Sequence, residues 1–312
     1  MLSDLLTVTI VVSVLASTIR IATPLLLAAL GELVTERSGV MNLGVEGTML
    51  MGAYVGFIVA YSSGSLAFGF FAASLAGGVV GLFMVFMAAS LKVDQTVTGL
   101  SINLLSTGLT LFLYRVAFGD VSTVPTVVPL GKTSIPILSE IPMIGDIFFK
   151  QSLLTYFAFL MVPLIAIFLY KTKYGLAIRA MGENPRAADT KGLNVTKYQY
   201  YCVVFGSMMS GLGGAFITVG TLANFLPGIT AGRGWLAVIL VIAGNWNPWR
   251  IFFATLVFAF LDALQLQIQG IGVPVPHQIL LALPFVIALL VMMGSRARSV
   301  APKHLGKPYI GE

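Results

Sequence analysis

Residues 38–91 read SGVMNLGVEGTMLMGAYVGFIVAYSSGSLAFGFFAASLAGGVVGLFMVFMAASL, and in this stretch the one charged residue is Glu46. A helix needs roughly 20 apolar residues to cross the hydrocarbon core of a bilayer. The stretch is long enough for two crossings, 40–61 and 66–91, turning at Ser62-Ser63-Gly64-Ser65. Lipid offers no partner to an open backbone group, so a spanning element is a helix or part of a closed barrel. Barrel strands alternate polar and apolar residues. This segment does not, so its spans are predicted as helices.

The rest of the chain repeats the pattern. Of 312 residues, 57% are hydrophobic and 10% charged, where a soluble domain carries about 25% charged residues. Mean hydropathy is +0.95. These values exclude a soluble enzyme, a disordered chain and a coiled coil. They predict an all-α polytopic membrane protein, a bundle of about eight to ten transmembrane helices. Further spans are expected at 5–30, 96–118, 152–170, 200–222, 251–269 and 278–293, with a short apolar run at 235–244. The direct count is therefore nine. Pro24 is expected to kink or end the first helix, and 32–38 reads as a polar break. Residues 119–151 hold prolines and mixed charge and read as a loop with a short interfacial helix. The whole of 1–312 is expected to form one transmembrane domain.

Charge bias orients the chain. Residues 171–197 carry Lys171, Lys173, Arg179, Arg186, Lys191 and Lys197 against Glu183 and Asp189. The tail 294–312 carries Arg296, Arg298, Lys303 and Lys307 against Glu312. Both are predicted cytoplasmic by the excess of Lys and Arg. The 119–151 loop then lies outside, and so does the N-terminus on the direct count. The net charge of +6 sits in loops and tail, which suits a membrane protein and not a nucleic-acid binder. The first apolar run lacks a basic leader and a clear cleavage site, so it is expected to be retained. The single Cys202 leaves no intramolecular disulfide and no cysteine metal cluster; it reads as a small apolar residue. Gly52/Gly56, Gly77/Gly81 and Gly206/Ser210/Gly214 stand at the four-residue spacing that lets spanning helices approach closely.

Catalytic chemistry is thinly represented. No GxxxxGK[ST], HExxH or GxSxG pattern occurs, and the glycines Gly211, Gly213 and Gly214 have no following lysine. His277 sits beside Pro276 at a span boundary and His304 lies in the tail; both read as structural. Four charges fall within or beside apolar runs: Arg20, Glu46, Arg233 and Asp262. Such groups face a bundle interior or a watery cavity, because lipid penalises them. The fourth span carries a stripe at helical spacing, Gly99, Asn103, Ser106, Thr107 and Thr110. That uncharged stripe suits the path of a neutral, hydroxyl-rich solute, and helix packing explains it equally well. Asn42, Glu46, Asn103, Thr107, Asn224 and Gln265 are the candidates for such a path.

The most polar segment is TKYGLAIRAMGENPRAADTKGLNVTKYQ, residues 172–199. It reads as a short amphipathic helix, a turn and a second short helix. Asn184 would cap the second, Pro185 would take its first position and Gly192 would end it. A loop that merely touched headgroups would need no capped helix, so a dock for a soluble partner fits better.

This segment, through GENPRAADTKGLNV (182–195), resembles the coupling loop of the importer permeases driven by ATP-binding-cassette (ABC) ATPases. The branch is that of ribose, nucleoside and branched-chain amino-acid permeases. LAALGELVTERSGVMNLGVEGTMLMGAY (27–54) resembles the smaller simple-sugar and nucleoside permease subunit more specifically. VTGLSINLLSTGLT (97–110) is a looser match, and GRGWLAVILVIAGNWNP (232–248) is compatible.

The resemblance implies the helical fold of type II ABC importers, with about ten spans, and a chain that is not itself an enzyme. It implies cytoplasmic ATPase subunits, a second permease subunit and an extracytoplasmic solute-binding protein as partners, in a bacterial plasma membrane. ATP and magnesium would be bound by the ATPases, and no cofactor by this chain. Glu183, Asn184, Pro185, Arg186 and Ala187 would enter the ATPase groove. The implied solute is a nucleoside or ribose-like sugar, with branched-chain amino acids as the rival. A self-contained secondary transporter would want more mid-span acids, and a membrane enzyme would want a catalytic constellation.

Overall fold

The computed structural model describes residues 8–119, 124–136, 138–270, 282, 286 and 301–309. Helix α1 covers Val8–Arg37, α2 Val45–Ser63, and α3 Leu66–Val85, which runs on as a π turn over Phe86–Ser90. Helix α4 covers Gln95–Phe118 and α5 Leu153–Lys171. Two short helices follow, α6 Lys173–Glu183 and α7 Pro185–Asp189. Then come α8 Val195–Ala215 with a π continuation over Phe216–Leu222, α9 Arg233–Ala243, and α10 Pro248–Gly270. Among the described residues, seven helices are long and apolar enough to span a membrane. Helix α9 is apolar but has only 11 residues, about 16 Å of rise, half of a crossing. The first eight expected apolar segments thus correspond to helices. The ninth, 278–293, lies outside the described residues except at 282 and 286, and so does His277.

One expectation at the first helix fails and another is narrowed. Pro24 does not end α1, which continues to Arg37. Residues Ala22 to Glu36 are buried without a break, and neighbouring helices in a membrane bundle offset the backbone bond that proline removes. The polar break at 32–38 is likewise helical as far as Arg37. Glu32 and Glu36 are 1% and 2% exposed, so their charges mark the interior of the bundle and not its edge.

Helix α8 is the central post and packs against α3, α1 and α2. The contacts run through the small residues. A Cβ added at Gly52 would collide with the backbone of Gly211, and one at Gly214 with the backbone of Met49. Gly206 meets Gly31 and Thr35 in the same way. Such approach gains dispersion along two whole helices, where lipid supplies no hydrophobic drive between them. The outward faces of α3 and α4 carry Phe68, Phe71, Val79, Leu104, Phe112 and Val116, all exposed. Those faces suit lipid.

The chain ends of the helices sort into two groups. Arg37, Tyr170, α6–α7, Trp246 and residues 301–309 lie at one end: Arg37 donates to the Trp246 carbonyl and to Tyr170, and His304 N–H donates to Gly182 O. The described part of 119–151 lies at the other. There β1 Thr133–Ser134 pairs antiparallel with β2 Lys150–Gln151, beside a 3₁₀ turn at Leu138–Glu140 and a π turn at Gly145–Phe149. The backbone of 126–127 bonds to 223–224, the start of the connection between α8 and α9.

Candidate functional site: a docking loop, a clamped core and a basic cavity

The polar loop folds as its residues dictate. Asn184 stands in extended conformation and its Oδ1 accepts the Ala187 N–H at 3.1 Å, with Pro185 at the first helical position. Helix α7 stops at Asp189, and the chain reverses through Gly192 at φ +80°. Asn194 then caps α8, its Oδ1 accepting the Lys197 N–H at 2.9 Å. Glu183, Asn184, Arg186 and Ala187 are exposed, while Pro185 and Ala188 are buried. The buried side closes on Ala177, Met181 and Val195. The result is a short rigid knob with a polar outer face and an apolar root.

That knob is fastened to the bundle. Arg179 Nε donates to Leu169 O at 3.0 Å and its guanidinium stacks on the Tyr170 ring at 4.9 Å. Gly182 lies so close to Arg37 O that a Cβ there would collide. Residues 301–309 cross the same corner: His304 N–H donates to Gly182 O at 2.9 Å, and Gly306 N–H to Gly39 O at 3.2 Å. Tyr309 OH donates to Asp189 Oδ2 at 2.7 Å. Burial, helped by the Lys307 charge, holds the His304 imidazole below its ordinary pKa of 6.5.

Under the knob lies a network that reading by sequence passes over. Trp246, 3% exposed, donates its indole N–H to Glu36 Oε2. Its carbonyl accepts from Arg37 Nη2 at 2.7 Å and from Tyr170 OH at 3.3 Å. Asn245 and Trp246 both hold left-handed backbone, at φ +52° and +51°. Such strain in consecutive non-glycine residues persists only where surroundings over-determine it. The available signal was the four-residue spacing of Glu32 and Glu36 ahead of Arg37, which places both acids on one helix face.

Of the six residues picked for a solute path, Asn103 bonds to the backbone beside Asn42 and Glu46 and to Thr107, and these four are held by bonds within the bundle. Asn42 is buried; its N–H donates to Glu32 Oε1 at 3.1 Å and its Oδ1 accepts from Gly44 at 3.0 Å. Asn103 ties α4 to the α1–α2 connection, its Oδ1 accepting from Gly47 at 2.7 Å and its Nδ2 donating to Leu43 O at 2.8 Å. Thr107 is exposed and donates to the Asn103 carbonyl at 2.8 Å. Asn224 pairs through its backbone with Thr126. Gln265 is buried within α10. Glu46 is the most heavily bonded: Oε1 accepts from Thr230 Oγ1 at 2.5 Å and Gly232 N–H at 2.9 Å, and Oε2 from Gly234 N–H at 2.7 Å. It thus supplies from α2 the anionic cap that the first turn of α9 wants.

Open space lies elsewhere. A cavity of about 760 Å³ at the 119–151 end is lined by Ser13, Ser17 and Arg20 of α1, Lys132, Gln151, and Thr221 of the π segment. A second, of about 340 Å³, shares Ser17, Arg20, Phe216 and Thr221 and reaches Arg233 and Gln267. None of the six residues lines either space. Of the four charges noted within apolar runs, Arg20 and Arg233 line it, Asp262 lies within the electrostatic reach of Arg233, and Glu46 caps α9.

Comparison with known proteins agrees with this architecture. Residues 14–292 match the family described as branched-chain amino acid transport system / permease component. The guanosine ABC transporter permease protein NupQ of Bacillus subtilis is 36% identical, over 95% of this chain and 96% of its own. The nucleoside ABC transporter permease protein NupC of Lactococcus lactis subsp. cremoris is 32% identical, over 95% and 96%. The putative glucose ABC transporter permease protein TsgC13 of Haloferax volcanii is 38% identical, over 83% and 78%. No solved structure gives a significant match. A multi-pass helical bundle that matches the family model over most of its length and these relatives nearly end to end is a membrane permease of the branched-chain amino acid transport system permease family.

Proposed function

We propose that the chain is the membrane-spanning permease subunit of an ATP-driven, binding-protein-dependent importer for nucleosides or a ribose-like sugar. The observation that carries the coupling part is the capped, exposed helix α7, rooted on α6 and joined to the ends of α1 and α10. The nearly full-length likeness to nucleoside permeases supports the substrate class. Glu183, Asn184, Pro185, Arg186 and Ala187 sit in a groove of a cytoplasmic ATPase, which binds the ATP and magnesium. This chain does no hydrolysis. A second permease subunit completes the pathway, and an external binding protein delivers solute.

On this reading the α6–α7 end and residues 301–309 are cytoplasmic, where the loop's excess of basic residues belongs. A push on α7 reaches α1 through the contact of Gly182 with Arg37, and reaches α9–α10 through Trp246. Elements so connected move as one body, which is how a nucleotide-driven change at the dock opens a path on the far side. The family's description also names branched-chain amino acids, but the chain's fuller relatives take the solute class elsewhere.

The test is to purify the tagged chain from native membranes in mild detergent. An ATPase and a second permease are expected with it, and Arg186→Glu is expected to shed the ATPase while keeping the second permease. A chain that comes out alone and still carries solute without ATP defeats the proposal.

A further inference from the structure

Between α5 and α8 the bundle leaves a gap. Both helices lean on α1, and a cleft of about 420 Å³ stays open between them, bounded by α6 at the docking-loop end. Val34, Ile165, Ile178 and Cys202 form its floor and are buried. Leu164, Phe168, Tyr201 and Phe205 form its walls and are exposed. Every side chain that lines it is apolar, a tyrosine or Cys202. Its deepest wall residues, Met161 on α5 and Phe205 on α8, stand ten and eight residues from Lys171 and Lys197, about 15 and 12 Å of helix rise. The hydrocarbon core is about 30 Å thick, so the cleft has the depth of one leaflet.

The mouth is built of other materials. Tyr174, Tyr198 and Tyr201 stand there, at the headgroup level that amphipathic rings favour. Among the described residues, none of their hydroxyls has a hydrogen-bond partner. Lys173 Nζ lies over the Tyr174 ring at 5.4 Å, and Lys197 Nζ over the Tyr201 ring at 6.0 Å. Neither lysine forms an ion pair among the described residues. Of the two acids in the loop, Asp189 accepts from Tyr309 and Glu183 lies on the exposed knob. Two ammonium groups and three phenols thus ring an apolar slot, and among the described residues no carboxylate answers them.

We propose that the cleft holds an acyl chain of an anionic phospholipid from the leaflet on the docking-loop side, with Lys173 and Lys197 taking its phosphate. An apolar gap forfeits dispersion until atoms fill it. Water gains little from walls that offer it few polar partners, whereas lipid tails already lie alongside. Basic residues at the membrane surface attract anionic headgroups, and a phosphate accepts from ammonium and phenol alike. A seated lipid bears on the dock through α6. Tyr174 and Ile178 line the cleft, and Ala177 and Met181 of the same helix root α7. Filling the cleft therefore braces α6 from the membrane side. Such a site needs no ATPase at α7 and is independent of the importer reading.

The test is native mass spectrometry of the full chain, purified in mild detergent with whatever partners accompany it, after addition of phosphatidylglycerol or phosphatidylcholine. The wild type is expected to retain phosphatidylglycerol about tenfold better than phosphatidylcholine. Lys173→Gln combined with Lys197→Gln should cut that preference to about twofold without changing the elution of the chain in size-exclusion chromatography. Leu164→Trp, which adds bulk from an exposed wall, should lower retention of both lipids. In reconstituted vesicles, phosphatidylglycerol with a diazirine in its acyl chain should cross-link to residues 161–178 and 198–205. Equal retention of the two lipids by the wild type, an unchanged preference in the double variant, or cross-links confined to other segments overturns the proposal. A photoreactive side chain at position 164 that captures a second permease in native membranes, and no lipid, overturns it as well.

Discussion

The seam of α2, α3 and α8 and the cavity beside α1 are made of opposite materials. Along the seam, glycines press backbone against backbone so closely that no Cβ fits at Gly52, Gly77 or Gly214. Along the cavity, hydroxyls and cations face about 760 Å³ of space. The first arrangement resists change of shape, because packed interiors do not deform continuously. The second holds polar groups that only water, solute or a partner can satisfy. The contrast separates a part of the molecule that is closely packed from a part that is open and polar.

The sharpest way to break this contrast is to put bulk in the seam. Gly52→Leu drives a side chain into the Gly211 backbone, which cannot rotate away. Overpacking costs about 1–3 kcal/mol where neighbours can yield, so a cost above about 3 kcal/mol is expected here. It should appear in a thermal unfolding scan in detergent as a large drop in midpoint or as failure to assemble. A near-native midpoint would mean that the helices slide freely, and the rigid half of the comparison would be lost.

Glu46 comes next, because it ties α2 of the seam to the first turn of α9. Glu46→Ala strands the Thr230 hydroxyl and the N–H groups of Gly232 and Gly234. A loss of about 2–4 kcal/mol is expected, with faster hydrogen exchange at the start of α9. Glu46→Gln should recover part of it. If exchange at α9 stays slow, the anionic cap is not what holds that half-helix.

A smaller effect belongs to the tail. Tyr309→Phe removes one exposed bond to Asp189, worth about 0.5–1.5 kcal/mol, and should raise proteolysis of residues beyond 300. His304 adds a pH dependence of known sign. Its folded pKa lies below 6.5, so the docked tail prefers the neutral ring. The contribution is complete above pH 6.5 and fades as pH falls through the lower folded value. Limited proteolysis at pH 7.5 and pH 5 should show a tail released in acid, and His304→Gln should flatten the difference.

The smallest stability effect is expected in the cavity wall. Ser17→Val should change the unfolding free energy by less than about 0.5 kcal/mol. A cavity residue as costly to change as Gly52 would erase the distinction between the two regions.

Much of this architecture is legible from hydropathy. The spans follow from apolar length, and the α7 cap from the residues Asn184-Pro185, because both are local properties of the chain. The inner network was hidden for a physical reason. Glu32 and Glu36 were read as a boundary because charge usually marks water, yet the partner that makes Glu36 tolerable is Trp246, about 210 residues away. Glu46 looked like a lining residue because its three donors belong to residues 230–234. The stripe on α4 divided once folded: Ser106 and Thr110 turned inward and Thr107 outward. Periodicity finds a face, but it does not say what that face meets.

The strap formed by residues 301–309 over α6 and α7 sets an order of events during synthesis. The dock emerges from the ribosome about 110 residues before the strap, a lag of roughly 6–22 s at ordinary elongation rates. Throughout that interval the knob stands without its last three fastenings. A nascent or prematurely terminated chain therefore presents a loose dock, and a finished one a tight dock.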